Sequence, residues 1–331
     1  MRAIVTGMGY FTPKTRLSNH DLERMVDTSD EWITARTGIK ERRILEKGKG
    51  TSYMAVRAAR SLLAGRNIPA DEIDMIIVAT VTPDMPVPAT AAFVQREIKA
   101  SNCGGFDLNG GCAGFVCAFS IASQFIETGK YKKVMVIGAD KMSGIIDYED
   151  RNTCVIFGDG AGAVLLEPSE EEDEGVRDFI LRLDGSGADM LRVDAGGSLH
   201  PATRETVEKK MHYVFQDGKA VFKHAVKGMA DVSGRILDEN DLSPDDMGLL
   251  VPHQANIRII DAVSKKLDLP SEKVAVNLEK YGNTTAATIP IALAEAYEEG
   301  KIEKGDWVVI SAFGAGFTWG SALFKWAMDK P

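Results

Sequence analysis

Asp107–Gly129, DLNGGCAGFVCAFSIASQFIETG, sets a cysteine where a protein can make a nucleophile. An apolar segment, Gly105–Leu108, runs into Asn109-Gly110-Gly111, and Cys112 follows. Beyond it Ala113, Val116, Ala118, Ile121, Ala122, Phe125 and Ile126 recur near helical spacing, and Gly129 supplies a stop. Cys112 is therefore expected between a strand and the N-terminus of a buried helix. Unpaired N–H groups and the positive end of the helix dipole stabilise a thiolate there. The two glycines permit a sharp turn and close approach of a substrate. The competing reading is a small buried cysteine. Position alone leaves the two even, so partner residues must decide.

Three further stretches supply them. Val251-Pro252-His253-Gln254-Ala255-Asn256 ends a predicted buried strand, and of five histidines only His253 stands at such an end, where α/β folds carry function. Alone it would read as a satisfied core histidine. Tyr281-Gly282-Asn283-Thr284-Thr285 is a glycine turn ahead of a predicted helix, Ala286–Tyr297. Ser311–Gly320, SAFGAGFTWG, is a glycine turn between apolar strands. Its N–H groups could join that of Cys112 in an oxyanion hole.

The elements that must position these residues alternate along 331 residues, enough for two domains or one duplicated one. Buried strands are expected at Met75–Thr80, Val134–Gly138 and Trp307–Ser311, and long helices at Ser52–Leu63 and Gly218–Asp238. Arg2–Val5 enters Gly7-Met8-Gly9, read as a turn at the strand's end, because Thr12 leaves a dinucleotide fingerprint incomplete. Gly158-Asp159-Gly160-Ala161-Gly162 lacks the Lys-Ser/Thr pair of a phosphate loop and reads as close packing. The acidic stretch Glu170–Glu174 marks a boundary between halves, 1–170 and 171–331.

A net charge of −9 argues against nucleic acid as a partner. No apolar run approaches membrane-spanning length, and Met1–Thr6 reads as a strand and not a leader, so a cytoplasmic protein is expected. Four cysteines at these spacings match neither a disulfide framework nor a metal pattern.

The halves echo each other. Asp71-Glu72-Ile73-Asp74-Met75 resembles Asp245-Asp246-Met247-Gly248-Leu249, and Glu127-Thr128-Gly129-Lys130 resembles Glu298-Glu299-Gly300-Lys301. The second echo has an offset of 171, which sets Asn283 opposite Cys112. Halves related by a pseudo-twofold would bring the two helix starts together.

In combination, Cys112 within Asp107–Phe115, Pro252-His253-Gln254-Ala255-Asn256, Gly282-Asn283-Thr284 and Gly316-Phe317-Thr318-Trp319-Gly320 resemble the β-ketoacyl-acyl carrier protein synthase III family, over essentially the whole chain. The resemblance implies an α/β fold of the thiolase-like type, layered α-β-α-β-α, in two pseudo-twofold-related halves with mixed sheets. It implies a Cys112–His253–Asn283 triad, an oxyanion hole from the N–H groups of Cys112 and Ala315, and an acyl-CoA primer transferred to Cys112. Decarboxylative condensation with malonyl-acyl carrier protein follows, with His253 and Asn283 bonding the thioester carbonyl, and starts fatty-acid synthesis. Trp32, Arg36, Arg151, Phe222 and Asn256 match CoA-contacting residues, and Gln254–Arg258 (Gln254, Ala255, Asn256, Ile257, Arg258) matches the carrier-protein segment. Lys219, Lys223, Lys227, Lys265 and Lys266 add basic candidates for an acidic carrier. Val87 stands where family members often place a bulky aromatic reaching into the partner's acyl pocket, which suggests primers larger than acetyl. Ala315 replaces a usual glycine. No cofactor, no metal and a homodimer are implied. The alternative is a related condensing enzyme of secondary metabolism.

Overall fold

The computed structural model describes residues 1–329. Two sheets form the frame. The first has five strands in the spatial order Arg2–Phe11, Asp159–Ser169, Val134–Lys141, Met75–Ala79, Gly104–Leu108. The second has four, Met247–Pro252, Trp307–Gly314, Thr318–Lys325 and Gly175–Leu183. Both are mixed: Met75–Ala79 runs parallel to both of its neighbours, while Asp159–Ser169 runs antiparallel to its own.

Side-chain alternation sorts the layers. Ile77 points to one core, and Ile76 and Val78 point to another. The core between the sheets is filled by helices Gly114–Glu127 and Thr288–Glu298, with Phe115, Phe119, Ile289 and Leu293 packed against Val136 of the first sheet and Val251, Ile310 and Phe324 of the second. Helices Thr51–Arg66 and Thr90–Ile98 cover the outer face of the first sheet, and Gly218–Asp238 and Ile257–Lys266 that of the second. The order is helix, sheet, helix, sheet, helix.

Gly7 and Gly9 are not in a turn. They lie mid-strand in Arg2–Phe11, where a methyl group on Gly9 would sit 2.3 Å from the backbone N of Leu62. Their role is close packing of helix Thr51–Arg66. The glycine run near 160 is likewise strand, with Gly162 against Pro290 of the central helix.

The internal echo needs a shift of register. Gly111 and Thr285 open matching single turns, Gly111–Ala113 and Thr285–Ala287, with φ of 58° and 55°. That is the offset of the first echo, 174, not of the second. Helix Thr288–Glu298 has 11 residues against 14 in Gly114–Glu127, which accounts for the slip. The counterpart of Cys112 is thus Ala286, and Asn283 lies just ahead of the turn.

Candidate active site

A cavity of about 1210 Å³ collects the expected residues. Cys112, His253 and Asn283 line its inner end, only 8 %, 3 % and 5 % exposed. Phe222 and Asn256 line it further out, and Trp32, Arg36 and Lys219 line it where side chains reach solvent.

Cys112 sits in the turn ahead of the central helix Gly114–Glu127. That turn is clamped against the loop after Trp307–Gly314. A methyl group on Gly111 would lie 3.0 Å from the backbone N of Ala315, and one on Gly314 would lie 2.4 Å from that of Cys112. The two N–H groups therefore belong to touching backbones at one end of the cavity. Ala315 is not among the described residues with positive φ, so its side chain is accommodated without left-handed strain. The thiol itself departs from expectation. Burial, then the negative charge of Asp140, pushes it up to about 12. A backbone N–H offsets only part of this. Cys112 rests as a neutral thiol and must lose its proton as it attacks.

His253 ends the strand Met247–Pro252, and its backbone N–H donates to Ser311 at 2.8 Å. Its Nδ1 lies 2.7 Å from Oγ1 of Thr288. Burial pulls the imidazole down to about 3, so the ring is neutral.

Asn283 is held by the first half. Its N–H donates to Ile156 O and its carbonyl accepts from Gly158. Its Oδ1 accepts the N–H of Thr285, and Nδ2 has no partner among the described residues. Its amide thus offers donors to the cavity. The turn beyond it is tied to Asp140, whose Oδ2 accepts from Ala286 N while Oδ1 accepts from Thr80, Val81 and Thr82. Burial pushes the Asp140 carboxyl up to about 6.

Trp32 is flanked by two guanidiniums, Arg36 at 5.0 Å and Arg151 at 4.7 Å from its ring centre. This is an aromatic and cationic platform suited to a base and its phosphates. Arg258 stacks over Phe222 at 5.5 Å. Lys219, Lys223 and Lys227 are exposed on one helix, and Lys265 and Lys266 on the packed neighbouring helix.

Within the segment expected to meet a carrier protein, Arg258 is exposed, and Ala255, Asn256 and Ile257 are half-buried. Asn256 caps helix Ile257–Lys266 and also donates to Arg36 O. Gln254 is different. It is 1 % exposed, and its amide bonds Pro252 O, Ala275 O and Asn277 N. Every polar atom of that side chain is engaged internally, so it acts as a strut behind His253 and not as a docking contact. Val87 is 81 % exposed and does not line this chain's own cavity.

Thr285, Thr288 and Asp140 escaped the sequence reading. Their signal was three threonines within Asn283–Thr288 and a lone acid after an apolar strand, neither distinctive without the fold.

The profile of 3-oxoacyl-[acyl-carrier-protein] synthase III matches residues 106–185, and that of its C-terminal part matches residues 237–326. The chain is 55 % identical to β-ketoacyl-[acyl-carrier-protein] synthase III of Chlorobaculum tepidum over 98 % of this chain and 100 % of that one. It is 52 % identical to that of Koribacter versatilis, over 98 % of each. The chain belongs to the β-ketoacyl-[acyl-carrier-protein] synthase III family. The crystal structure of the Aquifex aeolicus 3-oxoacyl-[acyl-carrier-protein] synthase III superposes with a TM-score of 0.91 at 44 % identity, covering 98 % of this chain and 100 % of that one. The five-layer arrangement is thus the thiolase-like fold of the synthase III family, and the chain is a condensing acyltransferase.

Proposed function

We propose that this synthase starts fatty-acid synthesis by joining an acyl-CoA primer to malonyl-acyl carrier protein through Cys112. The observation that carries the assignment of roles is one cavity lined at its buried end by a thiol, a neutral imidazole and a carboxamide, where the backbones of Cys112 and Ala315 meet.

In the first half-reaction Cys112 Sγ attacks the thioester carbonyl of acyl-CoA, and its thiol proton ends on the departing CoA sulfur. The N–H groups of Cys112 and Ala315 stabilise the oxyanion. Collapse releases the CoA thiol and leaves acyl-Cys112. Trp32, Arg36 and Arg151 hold the nucleotide end, and Phe222 and Asn256 flank the pantetheine arm. In the second half-reaction the malonyl thioester carbonyl accepts hydrogen bonds from His253 and Asn283. Loss of CO2 places negative charge on that oxygen. Two neutral donors in a dry site match an enolate without a permanent buried cation. The carbanion attacks the acyl-Cys carbonyl, the C–S bond breaks, the released Cys112 thiolate takes a proton from water, and β-ketoacyl carrier protein leaves. No step calls for a cofactor or a metal.

Exposed Arg258, with the lysines of the adjoining helices, is the proposed docking patch for an acidic carrier. The proposed homodimer joins along the edge strand Gly104–Leu108, which among the described residues is paired on one side only. Asp107 of that strand accepts from Thr90 and Ala91, so the loop bearing Val87 is tied to the same edge. The reading places the enzyme in the cytoplasm. Intact-mass measurement after incubation with acyl-CoA tests the covalent step. One acyl adduct on the wild type, absent in Cys112→Ala, supports it; no adduct from any CoA thioester refutes the donor.

A further inference from the structure

We propose that Thr288 is a positioning residue whose hydroxyl, by donating to Nδ1 of His253, holds the ring in the Nε2–H form that condensation needs. This rests on the reading above, in which His253 donates to the thioester carbonyl.

A buried neutral imidazole carries one N–H and one lone pair. For Nε2 to donate into the cavity, Nδ1 must be the lone pair and must accept. Among the described residues, the side chain bonded to Nδ1 is Thr288, with Oγ1 at 2.7 Å. A hydroxyl can supply the hydrogen that Nδ1 then needs.

The hydroxyl has a second acceptor. Oγ1 of Thr288 also lies 3.0 Å from the carbonyl of Thr285. If the hydroxyl turned there, the ring would have to protonate Nδ1 to make its own bond to Oγ1, and Nε2 would face the cavity as a bare lone pair. An enolate oxygen would then meet an acceptor. The rotation of one hydroxyl is therefore coupled to which ring nitrogen is protonated. Contact with Nδ1 is the shorter of the two, and an incoming carbonyl at Nε2 selects the same state.

Thr285 is the unusual partner. It is β-branched yet has φ of 55°, a conformation that costs energy outside glycine. From that position its N–H fixes the Asn283 amide and its carbonyl competes for the Thr288 hydroxyl. One short turn thus orients both donors of the proposed enolate site. The proposed tautomer matters only in the second half-reaction, because acylation uses the backbone oxyanion hole.

Thr288→Val keeps the shape and removes the hydroxyl; Thr288→Ser keeps the hydroxyl. Both are expected to acylate Cys112 with acyl-CoA as the wild type does. Condensation with malonyl-acyl carrier protein should fall about 10- to 100-fold in the Val variant, less than full loss of an oxyanion donor can cost. The Ser variant should restore most of it. Side-chain 15N spectra of histidine-labelled acyl-enzyme should show Nε2 protonated and Nδ1 bare in the wild type, and that distinction should be lost in the Val variant. A Val variant that condenses at the wild-type rate, or a wild-type ring protonated at Nδ1, overturns the proposal. The spectrum of the wild type serves even if the Val variant fails to fold. His253→Ala condensing normally would instead overturn the parent reading.

Discussion

Oδ1 of Asn283 accepts the backbone N–H of Thr285 at 2.8 Å. That bond decides which end of the carboxamide faces the cavity: the oxygen is engaged by the turn, and the NH2 is left to donate. Asn283→Asp keeps the acceptor that the turn requires and replaces the donor with a second oxygen. Condensation should fall by about 10²- to 10³-fold, the usual cost of one oxyanion donor, while acylation of Cys112 survives. Release of CO2 from malonyl-acyl carrier protein, beside the mass of the acyl-enzyme, separates the two. Equal loss of both steps would show that the variant merely disturbs the turn.

Cys112 should behave as a weakly acidic thiol. Burial and Asp140 hold it up to about 12, so its thiolate fraction rises about tenfold per pH unit through the neutral range. Alkylation of the free enzyme by iodoacetamide, followed as mass gain, should climb with that slope from pH 6 to 9, a range set about the ordinary thiol value. A plateau already reached at pH 7 would mean a pre-formed thiolate.

Gly314 must stay glycine. An added methyl would stand 2.4 Å from the backbone N of Cys112, well inside contact distance. Gly314→Ala should push apart the turn and loop that carry the proposed oxyanion N–H groups, and acylation should drop by at least ~10²-fold, the scale of one lost oxyanion donor. Adduct formation with acyl-CoA measures this directly, and wild-type acylation would remove those N–H groups from the mechanism.

Val87 bears on the primer. Its side chain is exposed on the loop that leads into helix Thr90–Ile98, whose first N–H is bonded to the edge strand, so in the proposed dimer it would reach the neighbouring subunit. A small residue there leaves room that an aromatic would fill. Isobutyryl- and octanoyl-CoA should therefore acylate Cys112 at rates comparable to acetyl-CoA, and Val87→Phe should favour acetyl. Strict acetyl preference in the wild type would remove Val87 from selection.

What the sequence disclosed depended on range. That Cys112, His253 and Asn283 would meet in one cavity was legible because glycine turns, strand ends and a helix start are local patterns, and their combination is specific to a family. The register between halves was not, because a second central helix three residues shorter than the first leaves no mark in composition. Gly7 and Gly9 looked like a turn, since glycine is equally at home in a bend and beneath a tightly packed helix. Gln254 entered the carrier-protein segment through the family resemblance alone, and its burial was not visible because it depends on Ala275 and Asn277, remote in sequence. The acidity of Cys112 was misjudged for a related reason. The helix start is visible in sequence, but the buried Asp140 near the thiol is not.

His253 and Asp140 make opposing demands on pH. The folded imidazole is pulled to about 3, below an unfolded value near 6.5. Between these values the unfolded chain binds more protons, so acidification costs stability, at a limiting slope of about 1.4 kcal/mol per pH unit. Asp140 is raised to about 6, above its unfolded value of 3.8, so between 3.8 and 6 the folded chain binds more protons and acidification favours it. The two slopes oppose each other across most of the same window. Removing His253 should uncover the Asp140 slope. Compared with the wild type, His253→Gln should gain stability in urea as pH falls from 6.5 towards 4. If the gap between the two proteins stays constant over that range, His253 is not held neutral by the fold. In the wild type the condensation rate should show no break near pH 6.5 from this ring, since a neutral imidazole is already in place on both sides of that value.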